Sequence, residues 1–319
     1  MSDLTKMLIN PDLSGCERAA SIWRDSGLVA MPTETVYGLG ADARNDRAVA
    51  RIYEAKGRPS FNPLIVHLAD AAKARDLVHW NDHAEQLANA FWPGPLTLVL
   101  PLKPDAGISP LVTAGKDTLA IRVPQHPIAR ALLSAFGGPV AAPSANPSGK
   151  ISPTLPEHVM HGLGDRIEAV VDGGSCGVGL ESTIVGLFDG QRLLRPGGVP
   201  VEAIEAMLGV SLTKETINET GEAISAPGQL LSHYAPKGTM RLNVIEAEPH
   251  EVHLGFGDIG GTMNLSPASN MAEAAANLFR FMHDLDAQGA QAIAVAPIPM
   301  TGLGVAINDR LARAAAPRD

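Results

Sequence analysis

Along the first 210 residues of this chain, short apolar runs alternate with stretches of helical periodicity. Leu28 to Met31, Pro63 to Leu68, Val99 to Leu102, Leu119 to Val123, Val140 to Ala142, Ala169 to Val171 and Thr183 to Leu187 are brief and bounded by turn residues, which predicts strands. Asp46 to Ala55, Asp70 to Leu77, Ala84 to Ala90, Ile128 to Phe136 and Val201 to Leu208 predict helices. The mixture indicates α/β or α+β. From Leu212 to Pro236 the chain turns polar and then reads SAPGQLLSHYAP, the texture of a linker. A shorter α/β pattern follows: strand Val252 to Phe256, helix Met271 to Leu285, strand Ala292 to Ala296 and helix Val305 to Ala315. The expected division is therefore a domain over 1–210, a linker over 211–240 and a small domain over 241–319. The last unit is short enough to need the first for burial.

Composition narrows the function classes. The net charge is −9, with a balance of −4 in residues 1–210 and −5 in 211–319. A protein that grips a long polyanion through many phosphates needs a basic excess, which neither part has. Cys16 and Cys176 are the only cysteines, too few for a disulfide framework or a zinc finger. No apolar run reaches 18 residues, and MSDLTKMLIN lacks a basic start before an apolar core. No membrane association is expected, and a cytoplasmic setting is.

Candidate chemistry gathers on a few loops. The helix from Asp46 delivers Lys56 and Arg58 onto a loop stiffened by Pro59 and Pro63, forming a candidate anion clamp. The plainer alternative is a solvated helix end whose cations complement the dipole. His67 ends a strand and by itself reads as a satisfied core or edge histidine. Thr118 and Arg122 share one strand face by period two. Ser144-Ala145-Asn146-Pro147-Ser148-Gly149 follows a buried strand and has the composition of a turn. Three generic motifs lack their required context. Gly255 to Gly260 and Gly38 to Ala43 precede no immediate helix, as a dinucleotide fingerprint demands, and Gly173 to Gly177 is followed by no helix, as a nucleophile elbow demands. No Walker A motif occurs.

PTETVYGLG (Pro32 to Gly40), KGRPSFNPLIVHL (Lys56 to Leu68), FWPGPLT (Phe91 to Thr97) and APSANPSG (Ala142 to Gly149) together resemble the YrdC-like family, in this order along the chain. With the linker and tail, the chain resembles the family's long form over essentially its whole length. The resemblance implies a twisted mixed sheet with a concave active face, followed by a small Rossmann-like domain. It implies an enzyme that joins L-threonine, bicarbonate and ATP into L-threonylcarbamoyl-AMP and pyrophosphate, with Mg²⁺ accompanying ATP and no dedicated metal ligands. A downstream tRNA-modifying complex would transfer the threonylcarbamoyl group to adenosine 37 of tRNAs reading ANN codons, with direct tRNA binding weak at most.

By the same resemblance, Lys56 and Arg58 are catalytic and contact ATP. Asn62, Thr118, Ser144, Asn146, Ser152, Arg195 and Tyr234 also contact ATP. Thr35, His67, Arg122, Ser182 and the Ala142 carbonyl contact threonine. A double-stranded-RNA-binding module is the alternative from another class. A carbamoyl-transferring maturation enzyme is excluded by the shortage of cysteines.

Overall fold

The computed structural model describes residues 7–214 and 233–317, so Pro227 and Gly228 of the expected linker lie outside the described residues. An 11-stranded sheet organises the first domain. Its order is Leu8–Ile9, Ala169–Val171, Val29–Met31, Gly38–Asp42, Val140–Ala141, Ile65–His67, Thr118–Arg122, Leu96–Pro101, Thr183–Gly186, Arg192–Arg195 and Thr213–Lys214. Pairings are mixed: Ile65–His67 runs parallel to Thr118–Arg122 and antiparallel to Val140–Ala141. The large sheet takes up Thr213–Lys214, beyond position 210, and the second sheet begins at Thr239–Arg241. That sheet has four strands, all parallel, and carries the helices Met271–Ala287 and Leu303–Ala315.

Period two divides the faces of the central strand. Val66 joins the main core with Leu64 and Leu68, beneath helices Asp46–Lys56 and Asp82–Phe91. Ile65 and His67 point the other way. At one end of that opposite face, helices Leu13–Arg24 and Pro127–Phe136 bury a second cluster around Trp23, Met31 and Leu133. At the other lies a small cluster of Ile65, Val99, Ala120, Ile184 and Leu194. The cavity described below opens beside it.

Several elements depart from the sequence pattern. Gly38 to Asp42 is a strand, although glycine disfavours one. Trp23 explains it: a Cβ on Gly40 would meet the indole at 2.6 Å, and Trp23 Nε1 donates to the Gly40 carbonyl at 2.8 Å. Asp70 to Leu77 is a single 3₁₀ turn, Ala71–Lys73, followed by the short helix Ala74–Leu77. The helix Leu13–Arg24 buries mainly small residues (Gly15, Cys16, Ala19, Ala20) along with Trp23, and so shows a weak apolar stripe.

The tail domain packs on the first as its size demands. Val36, Ile151 and Leu180 share a core with Leu278, Phe279 and Ile307. Gly179 has φ +72°, and a Cβ there would meet the Ala275 carbonyl oxygen and Ala276 Cα at 2.5 Å each, so the approach requires glycine.

Candidate active site

The helix Asp46–Lys56 starts at Asn45, whose side chain accepts from Ala48 N, and stops at Gly57 in the left-handed region. Its buried stripe runs Val49, Ile52, Tyr53 and Lys56, so a lysine occupies an apolar position. The Lys56 ammonium donates to the carbonyls of Ser144 at 2.6 Å and Asn146 at 2.5 Å. It ties the helix end to the Ser-Ala-Asn-Pro-Ser loop from behind the cavity wall. Burial, reinforced by the charge of Arg58, pushes its pKa down. The solvated-helix-end reading is thereby excluded for both cations, since each is buried.

Arg58 lines the cavity. Its Nε donates to the Asn62 carbonyl at 3.2 Å and an Nη to the Pro63 carbonyl at 3.0 Å, folding the loop around the guanidinium. Burial lowers its pKa to about 10, so it stays charged at neutral pH.

The cavity and its open mouth together span about 530 Å³, solvent space included. Of the residues expected at the site, Thr35, Arg58, His67, Arg122, Ala142, Ser144, Ser182, Arg195 and Tyr234 line it. Parallel register sets His67 beside Arg122. Arg122 is not an open fork. It donates to Glu34 Oε1 at 2.6 Å, Thr35 Oγ1 at 2.8 Å and the Gly94 carbonyl at 3.1 Å. Burial opposes ionisation of Glu34, but the charge and hydrogen bond of Arg122 outweigh it and hold the carboxyl below its ordinary value. His67 is neutral: burial and the nearby Arg122 lower its pKa to about 3, and its Nδ1 has no partner.

Opposite, the Arg195 guanidinium donates to the Ser182 carbonyl at 2.9 Å and its Oγ at 3.3 Å, while Ser182 Oγ also meets Thr97 Oγ1 at 2.7 Å. Tyr234, with φ +63°, packs on Phe279 of the tail with ring centroids 5.4 Å apart, so a residue anchored on the tail domain forms part of the cavity wall.

The other expected residues do not line this cavity. Asn62 is 1% exposed, with both amide atoms unpartnered. Thr118 starts the strand that Arg122 ends, roughly 13 Å away along it. Ser152 stands behind the wall and donates to Glu181 Oε1 at 2.6 Å. Asn146 faces a separate cleft between the domains, beside Lys150, His158 and His283. Thr33, Glu181 and His233 line the cavity without having been expected there. Glu181 is buried, which would raise its pKa, but Arg310 and Arg195 bring it to about 2. Its partner Arg310 is 129 positions away, and no local pattern marks such a pair.

The matched family models are "Telomere recombination" (Sua5/YciO/YrdC) over residues 21–197 and "Threonylcarbamoyl-AMP synthase, C-terminal domain" over residues 199–316. A Bacillus subtilis threonylcarbamoyl-AMP synthase is 44% identical over 94% of this chain and 93% of its own length. One from Pyrococcus abyssi is 39% identical, covering 93% and 92% respectively. The crystal structure of Pyrococcus abyssi Sua5 complexed with L-threonine superposes with a TM-score of 0.87 at 37% identity, covering 97% of each chain. The Escherichia coli YciO structure matches 60% of this chain and 94% of its own, with a TM-score of 0.54 at 25% identity.

Proposed function

The chain belongs to the Sua5/YciO/YrdC family, in the form that carries the threonylcarbamoyl-AMP synthase C-terminal domain, and on that footing we propose that it is an L-threonylcarbamoyl-adenylate synthase. It condenses L-threonine, bicarbonate and ATP, and releases pyrophosphate. The threonine amine forms a bond to the bicarbonate carbon, water leaves, and a carbamate results. A carbamate oxygen then bonds to the α-phosphorus as the bond to the bridging oxygen breaks, and pyrophosphate departs with the electron pair.

One observation carries this reading. A single cavity joins a hydroxyl- and imidazole-lined side (Thr35, His67, Ser182) to buried arginines, Arg58 and Arg195. The first suits a small hydroxy amino acid, and the second suits phosphates whose negative charge grows as the bond breaks. The neutral His67 offers an unpartnered nitrogen to the amino acid. Arg122, already neutralised by Glu34, keeps guanidinium hydrogens for a carboxylate. No covalent nucleophile is required: gathering the reactants in one orientation is a large part of the catalysis.

Mg²⁺ fits as a companion of the triphosphate. Among the described residues no group of His, Cys, Asp and Glu is placed to hold a metal, and Glu34 and Glu181 are each committed to an arginine. The donor set suits an ion carried on phosphate oxygens and water. Such an ion would draw charge from the phosphates.

The product is a labile mixed anhydride, and a tRNA-modifying complex is its expected consumer, in the cytoplasm. Among the described residues no helix is long and apolar enough to cross a membrane. The RNA-binding alternative finds no support in relatives that match along the whole chain as synthases. The test is pyrophosphate release from ATP with threonine and bicarbonate supplied or omitted in turn. Release that is independent of threonine would defeat the proposal.

A further inference from the structure

Arg310 is a fully buried charged side chain on the tail helix Leu303–Ala315, yet its guanidinium serves the first domain. Nε donates to Glu181 Oε2 at 2.8 Å, and Nη2 to the Pro196 carbonyl at 3.0 Å. Nη1 donates to its neighbour Asp309 at 2.5 Å, and the Tyr234 ring lies 5.3 Å from the guanidinium carbon. The other oxygen of Glu181 accepts from Ser152 Oγ at 2.6 Å, and its backbone carbonyl accepts from Gly198 N at 3.0 Å. Every polar atom that could let this carboxylate swing is thus fastened. The next residue, Ser182, receives the Arg195 guanidinium on both its carbonyl and its hydroxyl.

We propose that Arg310 is a positioning residue for the condensation: through Glu181 it fixes the Glu181–Ser182 segment against which the nucleotide-side Arg195 and the amino-acid-side Ser182 are both set. The tail domain thereby keeps the two halves of the cavity in register. This rests on the synthase reading above. Domain adhesion alone does not account for the arrangement. A buried ion pair adds little net stability compared with apolar residues of the same volume, whereas its hydrogen bonds fix direction. The apolar contact of Leu278, Phe279 and Ile307 with Val36, Ile151 and Leu180 already supplies adhesion.

The test uses the full chain and measures threonine-dependent pyrophosphate release, with separate KM values for threonine and ATP and a thermal midpoint for each variant. The variants are Arg310→Met, Arg310→Lys, Glu181→Gln, the double change Arg310→Met/Glu181→Gln, and Ala312→Ser, at an exposed position of the same helix, as a control. Arg310→Met and Glu181→Gln should each raise both KM values about tenfold or more. The double variant should be no worse than the poorer single one, a shortfall of at least tenfold from the product of the two, or about 1.4 kcal/mol of coupling. Arg310→Lys should restore charge but not register, leaving both KM values elevated, and Ala312→Ser should stay within about threefold of wild type.

Unchanged KM values with a lowered midpoint would make Arg310 a domain clasp and overturn the proposal, as would multiplicative effects in the double variant. If Arg310→Met does not fold, Glu181→Gln and Arg310→Lys decide alone, and unchanged KM values in both overturn it. A wild-type chain without threonine-dependent release would instead sink the synthase reading, an outcome distinct from an active wild type with indifferent variants.

Discussion

Replacing Lys56 with methionine separates the scaffold role of this side chain from the phosphate contact proposed for it. The ammonium makes two hydrogen bonds to buried carbonyls, at 2.6 and 2.5 Å. Hydrogen bonds to a charged group contribute about 1.5–3 kcal/mol each, so their loss costs roughly 3–6 kcal/mol. These figures are already net of desolvation, and methionine, of similar length, fills the space but leaves both carbonyls unpaired. Ligand-free stability should therefore fall by roughly 3–6 kcal/mol. The proposed ATP contact is separate: the two carbonyls use two of the three ammonium hydrogens, and the third is the one left for phosphate. Removing one charge-assisted hydrogen bond to phosphate, with nothing in its place, should weaken ATP binding about a hundredfold. At ATP equal to 100 times the wild-type Kd, ATP stabilises wild type by about 2.7 kcal/mol, whereas a hundredfold weaker variant gains only about 0.4 kcal/mol. Urea unfolding of both proteins with and without Mg-ATP measures this difference. Full ATP stabilisation in the variant would show that Lys56 is a structural tie alone.

Acid should destabilise the protein through His67 and His233, whose burial holds both pKa values at about 3 against 6.5 for the free group. The unfolded chain takes up these protons below pH 6.5 and the native chain does not, so stability is lost as pH falls. Between pH 6 and 5 the pair should cost roughly 2 kcal/mol, and His67→Asn or His233→Asn should flatten the slope; an unaltered slope would contradict the assignment. Gly179→Ala should cost roughly 2–4 kcal/mol or part the domains, since it combines a left-handed φ with backbone atoms at 2.5 Å. Thermal unfolding with limited proteolysis reports it, and a wild-type pattern would mean that the interface yields without penalty.

Elements with a strong internal period were legible from residues alone. Asp46–Lys56, Pro127–Phe136 and Met271–Ala287 each carry a continuous buried stripe, and the strand Ala169–Val171 is uniformly buried. The glycine strand Gly38–Asp42 was not, because its reason for existing is the indole of Trp23, a tertiary neighbour. The cavity divides in the same way. Arg58 was legible as a cation on a stiffened loop, whereas His67, Arg122 and Ser182 were reached only through the family motifs that contain them. Glu34 was visible in one of those motifs but unremarkable, since only the fold brings Arg122, 88 positions on, within 2.6 Å. Arg310 sits on an amphipathic helix where a charged residue reads as solvent-facing, and only the first domain's carboxylate reverses that reading.

The position of Arg310 also sets a schedule. The large sheet is complete once residue 214 has been made, but the partner of Glu181 is synthesised about 100 residues later, roughly 5–20 s at usual elongation rates. Until then Glu181 of the growing chain lacks the Arg310 guanidinium and has Arg195 beside it instead. Ribosomes that stall or terminate in that interval release a domain whose binding wall is still unset. Completion of the helix Leu303–Ala315 therefore acts as a check on the integrity of the product: the cavity is finished only in a chain that has been translated past Arg310.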